Sequence, residues 1–337
     1  MLSSFAKSAL LTLIAVFASS SALHADYIFN KEKTEKHKPK KEPTPWLTGP
    51  LLAPSGHVIP NGHYNIEPYE FVNTLYGVYD KHWDTHESKH NFYNLQTSTP
   101  IQIGMPARLD FTFAPQWSWN HTHGASHWVL NDMPWGFDVQ LLSDKQGKWW
   151  PAIKLALRAN FPFGKFQKLD PKEKGTDLGG TGSWEPGFGI IMSHLYWWGG
   201  HIFFAPRLSI EYTIPNAVHV KGLNAYGGGH HTNGTVYPGQ QLQCIFGFEI
   251  ALSQRWAIAH DIQYVHVSKT RFRGHKGKTA GVPNVVGLPS SEQLSIAPAI
   301  EYNWNAYVGI IAGAWFTVAG RNAAEFATGV VAINIYK

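Results

Sequence analysis

Ala107 to Asn120 reads ARLDFTFAPQWSWN. Leu109, Phe111, Phe113, Pro115, Trp117 and Trp119 occupy every second position, with Asp110, Thr112, Ala114, Gln116, Ser118 and Asn120 between them. Successive strand side chains point to opposite faces, so as a strand this stretch has one aromatic face and one polar face. A half-buried strand of a soluble sheet would alternate in the same way. The pattern recurs along the chain in segments long enough to cross a bilayer at a tilt, which points to an all-β fold, a transmembrane antiparallel β-barrel.

Twelve candidate strands follow Gly62, near His63 to Tyr79, Phe92 to Ile103, Ala107 to Asn120, Trp135 to Ser143, Trp149 to Phe161, Ser183 to His194, His201 to Ile214, Gln240 to Leu252, Arg255 to Val267, Gln293 to Asn303, Ala306 to Val318 and Glu325 to Tyr336. Alternation is clear in the strands that begin at Trp149, His201, Gln240 and Gln293, and ambiguous in the first strand and the last two. The links alternate in length. Long ones run through KHWDTHESKH, NHTHGASHWVLNDMP, PFGKFQKLDPKEKGTDLGGTG, PNAVHVKGLNAYGGGHHTNGTVYPG and SKTRFRGHKGKTAGVPNVVGLPSSE, and short ones lie near GMP, SDKQGK, WWGG, LSQ and NWN. Outer-membrane barrels pair long external loops with short periplasmic turns. Trp149, Trp150, Trp197, Trp198, Trp256, Trp304 and Tyr307 gather beside the short links, the aromatic belt expected where lipid meets water.

The chain before the barrel divides in two. Residues 1–25 carry one basic residue, Lys7, an apolar run from Ala9 to Phe17 and small residues ending at Ala22 or Ala25, the layout of a secretory signal peptide. Residues 26–62 form a basic and proline-rich segment. Its KEKTEKHKPKKE stretch has six lysines against three glutamates and cannot bury a core, so it is expected to be disordered. From Pro43 to Gly62 the segment holds Trp46, Leu47, Leu51, Leu52, Val58 and Ile59. That is too apolar for a free tail, and it is expected to pack under or inside the barrel of residues 63–337, as a periplasmic segment or a plug.

Composition agrees. Thirty-two glycines, fourteen tryptophans, fourteen tyrosines and nineteen phenylalanines suit strands, turns and interfacial girdles. The mean hydropathy of −0.22 is no objection, because alternating strands average out. The one cysteine, Cys244, cannot form an intramolecular disulfide. The pI near 9 comes from a tail and loops and not from a basic stripe with stacking aromatics, which argues against nucleic acid as a partner.

Two stretches, GTGSWEPGFGII at Gly180 to Ile191 and EYNWNAYVGIIAGAWFTVAGRN at Glu301 to Asn322, resemble a family of outer-membrane transporters named for the MetA pathway of phenol degradation. The resemblance implies a barrel in the bacterial outer membrane that moves small, hydrophobic molecules, and it carries over no catalytic or binding residue. The last strand ends in Ile335, Tyr336 and Lys337, where substrates of the barrel assembly machinery usually end in phenylalanine.

If the apolar faces meet outer-membrane lipid, the lumen receives Asp110, Asp138, Lys154, Arg158, Glu185, Arg207, Glu211, Glu249, Asp261 and Glu301. An Arg or Lys at mid-bilayer on the lipid side would cost about 2–4 kcal/mol, which fixes the orientation. Eight of these, Asp110, Lys154, Arg158, Arg207, Glu211, Glu249, Asp261 and Glu301, are the candidate lumen-lining residues for passage of small solutes. Gly187 and Gly189, between the two arginine strands, leave room for guanidinium groups or solute. Two readings stay open for the charges: a constriction that selects solutes, or pairs across the lumen that hold a small barrel shut.

Other chemistry finds less support. His121, His123 and His127 fall in one external link and His219, His230 and His231 in another, without a metal-ligand spacing. Ser193 with His194, and Ser268 with His266, are the nearest serine–histidine pairs, and neither makes a nucleophile signature. No cofactor is implied. A surface-exposed adhesin-like barrel and an outer-membrane hydrolase remain as alternatives to a passive channel.

Overall fold

The computed structural model describes residues 44–144 and 149–337. The signal peptide, the lysine-rich stretch and residues 145–148 lie outside the described residues.

The first four wall strands are each built from two pieces: β1 (Tyr64–Ile66) with β2 (Tyr69–Tyr79), β3 (Thr85–Ser98) with β4 (Ile101–Met105), β5 (Leu109–Phe113) with β6 (Gln116–Thr122), and β7 (Ala125–Leu130) with β8 (Met133–Leu142). Then come β9 (Ala152–Phe161), β10 (Gly187–Ser193) prolonged by β11 (Tyr196–Gly199), and β12 (Ile202–Thr213). Two external strands follow, β13 (Val218–Lys221) and β14 (Asn233–Tyr237), before β15 (Gln241–Ala251) and β16 (Trp256–Val267) return to the wall. Three more are external, β17 (Arg271–His275), β18 (Lys278–Thr279) and β19 (Val282–Pro283), and the wall ends with β20 (Ser291–Asn303), β21 (Val308–Arg321) and β22 (Ala323–Tyr336). Each wall strand pairs antiparallel with the next. β22 closes the ring on the first strand, with Ala332 opposite Tyr69 and Ile335 opposite Ile66. The closed twelve-stranded barrel read from the sequence is the fold.

Three of the four interruptions, those at Pro68, Pro100 and Pro115, share one cause, and the fourth, at Asn131 and Asp132, lies just before Pro134 in β8. Pro68, Pro100, Pro115 and Pro134 have no N–H to give to a ladder. Their carbonyls still accept from the neighbouring strand: Ile333 N to Pro68 at 3.1 Å, Glu67 N to Pro100 at 3.0 Å, Thr99 N to Pro115 at 3.0 Å and Ala114 N to Pro134 at 2.8 Å. The breaks therefore align in a row around the wall. Within Leu109–Asn120 the break does not shift the alternation: Asp110, Ala114, Ser118 and Asn120 are buried and Trp117 is exposed.

Two features differ from the sequence reading. Ala107 and Arg108 have φ near +61° and +62° and form a turn, so the third strand begins at Leu109. The links KHWDTHESKH and NHTHGASHWVLNDMP are mostly strand, with turns at Asp80–Asp84 and at His123–Gly124. His121 and His127 are thus strand residues. Wall strands of this length exceed the roughly 9–11 residues that cross a bilayer, so the wall projects beyond it.

The outward faces carry Val72, Phe188, Ile190, Ile258, Ile300, Val331 and Ile333, all exposed, as a lipid-contacting band requires. Trp149, Trp198, Trp256, Trp304 and Tyr307 are exposed at the short-turn end. A direct check is Ile190→Arg, at a position 38% exposed on the lipid face in the middle of β10. Reversible unfolding in lipid vesicles should show a loss of about 2–4 kcal/mol at mid-bilayer depth; an unchanged stability would mean this face meets water.

Candidate functional site

The inward faces converge on residues 44–62, which run through the interior without regular secondary structure. Proline at 45, 50, 54 and 60 keeps this segment from adding to a sheet. Its backbone N–H groups must therefore find side-chain acceptors.

The wall supplies them. Thr48 N donates to Glu301 Oε1 at 2.5 Å, and Gly49 N to Glu249 Oε1 at 2.9 Å. Leu52 N and Ala53 N donate to the two oxygens of Asp261 at 3.1 and 3.0 Å. Farther along, Gly56 N donates to Ser193 Oγ at 3.0 Å, Val58 N to Gln140 Oε1 at 2.8 Å and Ile59 N to Asp110 Oδ2 at 2.9 Å. Hydrogen bonds to a charged group are worth about 1.5–3 kcal/mol each, so these contacts define one path for the segment. Two wall glycines clear that path. A Cβ on Gly104 would lie 1.9 Å from the Pro60 carbonyl oxygen, and one on Gly247 would lie 2.5 Å from the Ala53 side chain.

The interior cations brace the wall. Asp138 receives Lys154 Nζ at 2.5 Å and also the Arg158 guanidinium. Arg158 Nε reaches Glu211 at 3.4 Å, across β10 and above Gly187 and Gly189, where the register places Gly187 opposite Arg158 and Gly189 opposite Glu211. Arg207 Nη2 pairs with Glu249 at 3.0 Å, and its Nη1 reaches the Ala53 carbonyl at 3.4 Å. All eight candidate residues thus lie on the inward face, in two groups. Lys154, Arg158 and Glu211 form a network with Asp138, opposite which lies Asp110, while Arg207 and Glu249 pair beside Asp261 and Glu301; Asp110, Asp261 and Glu301 bind backbone. The two arginines do not meet at one constriction.

The opposite part of the interior is apolar. Leu51 packs with Ala259, Ala297, Ile311, Val330 and Ala332, flanked by Tyr69, Phe71 and Trp315. Trp315 stacks edge-on against Phe326 at 4.8 Å. A small void lies between this strip and the segment, lined by Thr48, Gly49, Glu67, Tyr69, Ile311, Ala332 and Asn334. Sequence reading missed this strip. The ambiguous alternation of the first and last two strands was its signal, because a strand apolar on both faces has no period of two.

At the short-turn end, His57 Nε2 lies 2.7 Å from Asp144 Oδ1, and His194 Nδ1 lies 3.3 Å from Asp144 Oδ2. Burial raises the Asp144 carboxyl, but the hydrogen bonds from His194 and His57 outweigh it and hold the group well below the usual carboxylate range. Ser193 Oγ is 3.5 Å from His57 Nδ1, so its histidine neighbour comes from the segment and not from position 194. Ser268 Oγ bonds the Gln240 carbonyl while His266 faces Glu292, so that pair does not meet. The external histidines are spread among separate contacts: His121 with Ser126, His127 with Glu173, His123 against His90, and His230 against His231. Among the described residues no group of three or more His, Cys, Asp or Glu is placed to hold a metal.

The other mouth is covered from within. In the link between β9 and β10, the Thr176 carbonyl accepts from Asn120 Nδ2 at 2.9 Å, and Gly164 N and Thr181 N donate to Asp132 at 2.9 and 2.7 Å.

No known protein family and no curated protein matches the chain. Among solved structures, an outer membrane channel from Pseudomonas putida F1 is similar over 88% of this chain and 100% of its own, at 9% identity and a TM-score of 0.64. The Pseudomonas putida toluene transporter TodX (9% identity, 82% and 90% covered, TM-score 0.36) and the β domain of the Bordetella autotransporter BrkA (8%, 80% and 98%, 0.39) are more distant, and likeness of that size carries no argument.

Two outcomes follow for the segment. Asp261→Ala strips two buried N–H groups of their acceptor, each worth about 1–3 kcal/mol, and chymotrypsin cleavage near Trp46 to Leu52 should rise steeply in the folded barrel. Asp144 is depressed on folding, so its contribution is present above its unfolded value of about 3.9 and is lost as pH falls through the folded value. Acidification below about pH 4 should loosen the segment around His57, and Asp144→Asn should loosen it already at neutral pH. With protection unchanged in both variants, the sockets would not be what holds the segment. From these comparisons the structure is that of an outer-membrane-type β-barrel, similar in fold to an outer membrane channel.

Proposed function

We propose that the chain is a passive outer-membrane channel for small solutes, hydrophobic and aromatic ones among them, and that residues 44–62 are its resident plug. The observation that carries this is the division of the lumen. Charged sockets hold one side of the segment, while Leu51 rests on the apolar strip of Tyr69, Phe71, Ile311 and Val330. An apolar solute crossing a barrel needs such a strip, because desolvated aromatic and aliphatic surface replaces the water it leaves. Asp110, Glu249, Asp261 and Glu301 position the plug, Lys154, Arg158, Arg207 and Glu211 keep the wall rigid around it, and together they border the route. Exterior lipid contact, the tryptophan belt and the fold support outer-membrane residence after insertion by the barrel assembly machinery.

Hydrolysis is the weaker reading. Ser193, His57 and Asp144 line up by distance, but Ser193 is 6% exposed and its oxygen already accepts the Gly56 N–H. A Cβ on Gly56 would lie 2.6 Å from the Ser193 nitrogen, so the segment's backbone occupies the place a substrate carbonyl needs.

Planar-bilayer recording tests the channel. The mature protein should pass little current, deletion of residues 44–62 should give a steady open current, and Arg207→Ala in that deletion should alter its ion selectivity. In cells lacking other routes for aromatic hydrocarbons, Phe71→Glu in the full chain should reduce uptake of a small one. Folded deletion protein that passes no current would overturn the proposal.

A further inference from the structure

Outside the wall, β13, β14 and β17 form a separate three-stranded sheet. One face is apolar: Val218, Val220, Val236 and Phe272 pack with Phe166, Tyr226 and Val286. The register fixes what the other face carries. Lys221, Asn233 and His275 lie in one row, His219, Thr235 and Arg273 in the next, and Tyr237 beside Arg271 in a third. Strands lie about 4.8 Å apart and same-face neighbours along a strand roughly 6.5–7 Å apart, so Arg271 and Arg273 stand side by side on the sheet's edge strand. Lys221, Arg271, Arg273, His219 and His275 are all exposed, no carboxylate shares the face, and no salt bridge among the described residues engages the lysine or either arginine.

The direction of this face follows from its apolar back. Phe166 belongs to the link that folds into the mouth, and that link ties to the sheet's elements through Lys168 N to Lys221 O at 3.2 Å and Leu169 N to Leu223 O at 3.0 Å. The apolar face therefore looks toward the barrel axis and the basic face looks away from it. The sheet grows out of β12, β15 and β16, so its basic face stands directly above the membrane-spanning wall on the long-loop side. At that height, outside a Gram-negative barrel, the surrounding anions are the phosphates of the outer-leaflet glycolipid.

We propose that this face binds the phosphate groups of that glycolipid, with Arg271 and Arg273 as the principal ligands and Lys221, Thr235, Asn233 and Tyr237 as flanking donors. Guanidinium groups give phosphate two parallel N–H donors each, and two of them on one rigid face can hold a single phosphate or a neighbouring pair. A rigid sheet loses little entropy on binding, unlike lysines on a free loop. The proposal rests on the outer-membrane reading but not on transport, so it stands whether or not the barrel conducts.

The test uses the folded full chain in detergent and lipopolysaccharide as the probe, either intact or dephosphorylated, with retained lipid read by native mass spectrometry and affinity by titration. Intact lipid should bind and dephosphorylated lipid should not. The double variant Arg271→Ala with Arg273→Ala should lose about tenfold or more in affinity, the Lys pair should recover part of it, and Arg255→Ala at the opposite end should bind normally. Thermal unfolding and heat-modifiable migration confirm that each variant is folded. Equal binding of both lipid forms, or unchanged binding by the folded double variant, would overturn the proposal. So would competition by inorganic phosphate at concentrations matching the lipid's own, since that would make the site one for free anions.

Discussion

A carboxylate enclosed by protein must be met by a cation or by hydrogen-bond donors, and an irregular backbone enclosed by protein must find acceptors for its N–H groups. This barrel meets both demands with the same contacts. Asp110, Asp261 and Glu301 have no lysine or arginine partner in the described structure, and residues 48–59 have no ladder. The segment meets both oxygens of Asp261 and one oxygen each of Asp110 and Glu301, while Asp110 Oδ1 and Glu301 Oε2 have no hydrogen-bond partner among the described residues. The four prolines of the segment strengthen the arrangement, because a chain that cannot pair as a strand cannot satisfy its donors by sheet extension and leaves the wall's own ladder intact.

The positively charged side chains have a different task. Lys154 and Arg158 are held by Asp138, and Arg207 by Glu249, on neighbouring strands, and Arg158 also by Glu211 across β10, so their charges are neutralised along the wall. Charge pairing thus describes Lys154, Arg158, Arg207, Glu211 and Glu249, whereas Asp110, Asp261 and Glu301 accept backbone N–H groups of the segment. What faces the segment's other side is neither: Tyr69, Phe71, Ile311, Trp315 and Val330 offer no polar group except a phenol and an indole N–H, and the indole is already given to Ser295 Oγ at 2.9 Å.

Alternation told which residues face inward wherever the interior is polar, as in Leu109–Asn120 and in β9, β12, β15, β16 and β20. It failed where the interior is apolar, since Ile311 and Val330 inward and Val331 and Ile333 outward look alike to a period-of-two test. The sockets were legible as residues and not as partners: nothing local in Asp261 announces a backbone 208 residues earlier. Sequence distance also hid His57, which approaches Ser193 from a segment whose path only the fold fixes. Two long links proved to be strand because polar, histidine-rich residues on a wall projecting past the bilayer satisfy both faces with water and lose the apolar mark of a membrane strand.

How the lumen could open follows from the size of the contacts. Six wall residues, Asp110, Gln140, Ser193, Glu249, Asp261 and Glu301, accept backbone N–H groups of the segment. At about 1.5 kcal/mol for each of the five bonds to carboxylates and about 1 kcal/mol for each of the two to neutral groups, complete withdrawal costs roughly 9–10 kcal/mol and leaves a fraction on the order of 10⁻⁷ withdrawn at any time. Displacing residues 48–52 alone breaks three of these bonds, those to Glu301, to Glu249 and to one oxygen of Asp261. Residues 48 to 52 touch the apolar strip, where packing is non-directional and the small void already separates the two surfaces. In the proposed channel, an apolar solute that takes the place of Leu51 against Ile311 and Val330 regains much of the burial that displacing it removes, and a polar solute does not. If the barrel conducts as proposed, the segment that fills its lumen is the element an apolar solute must displace.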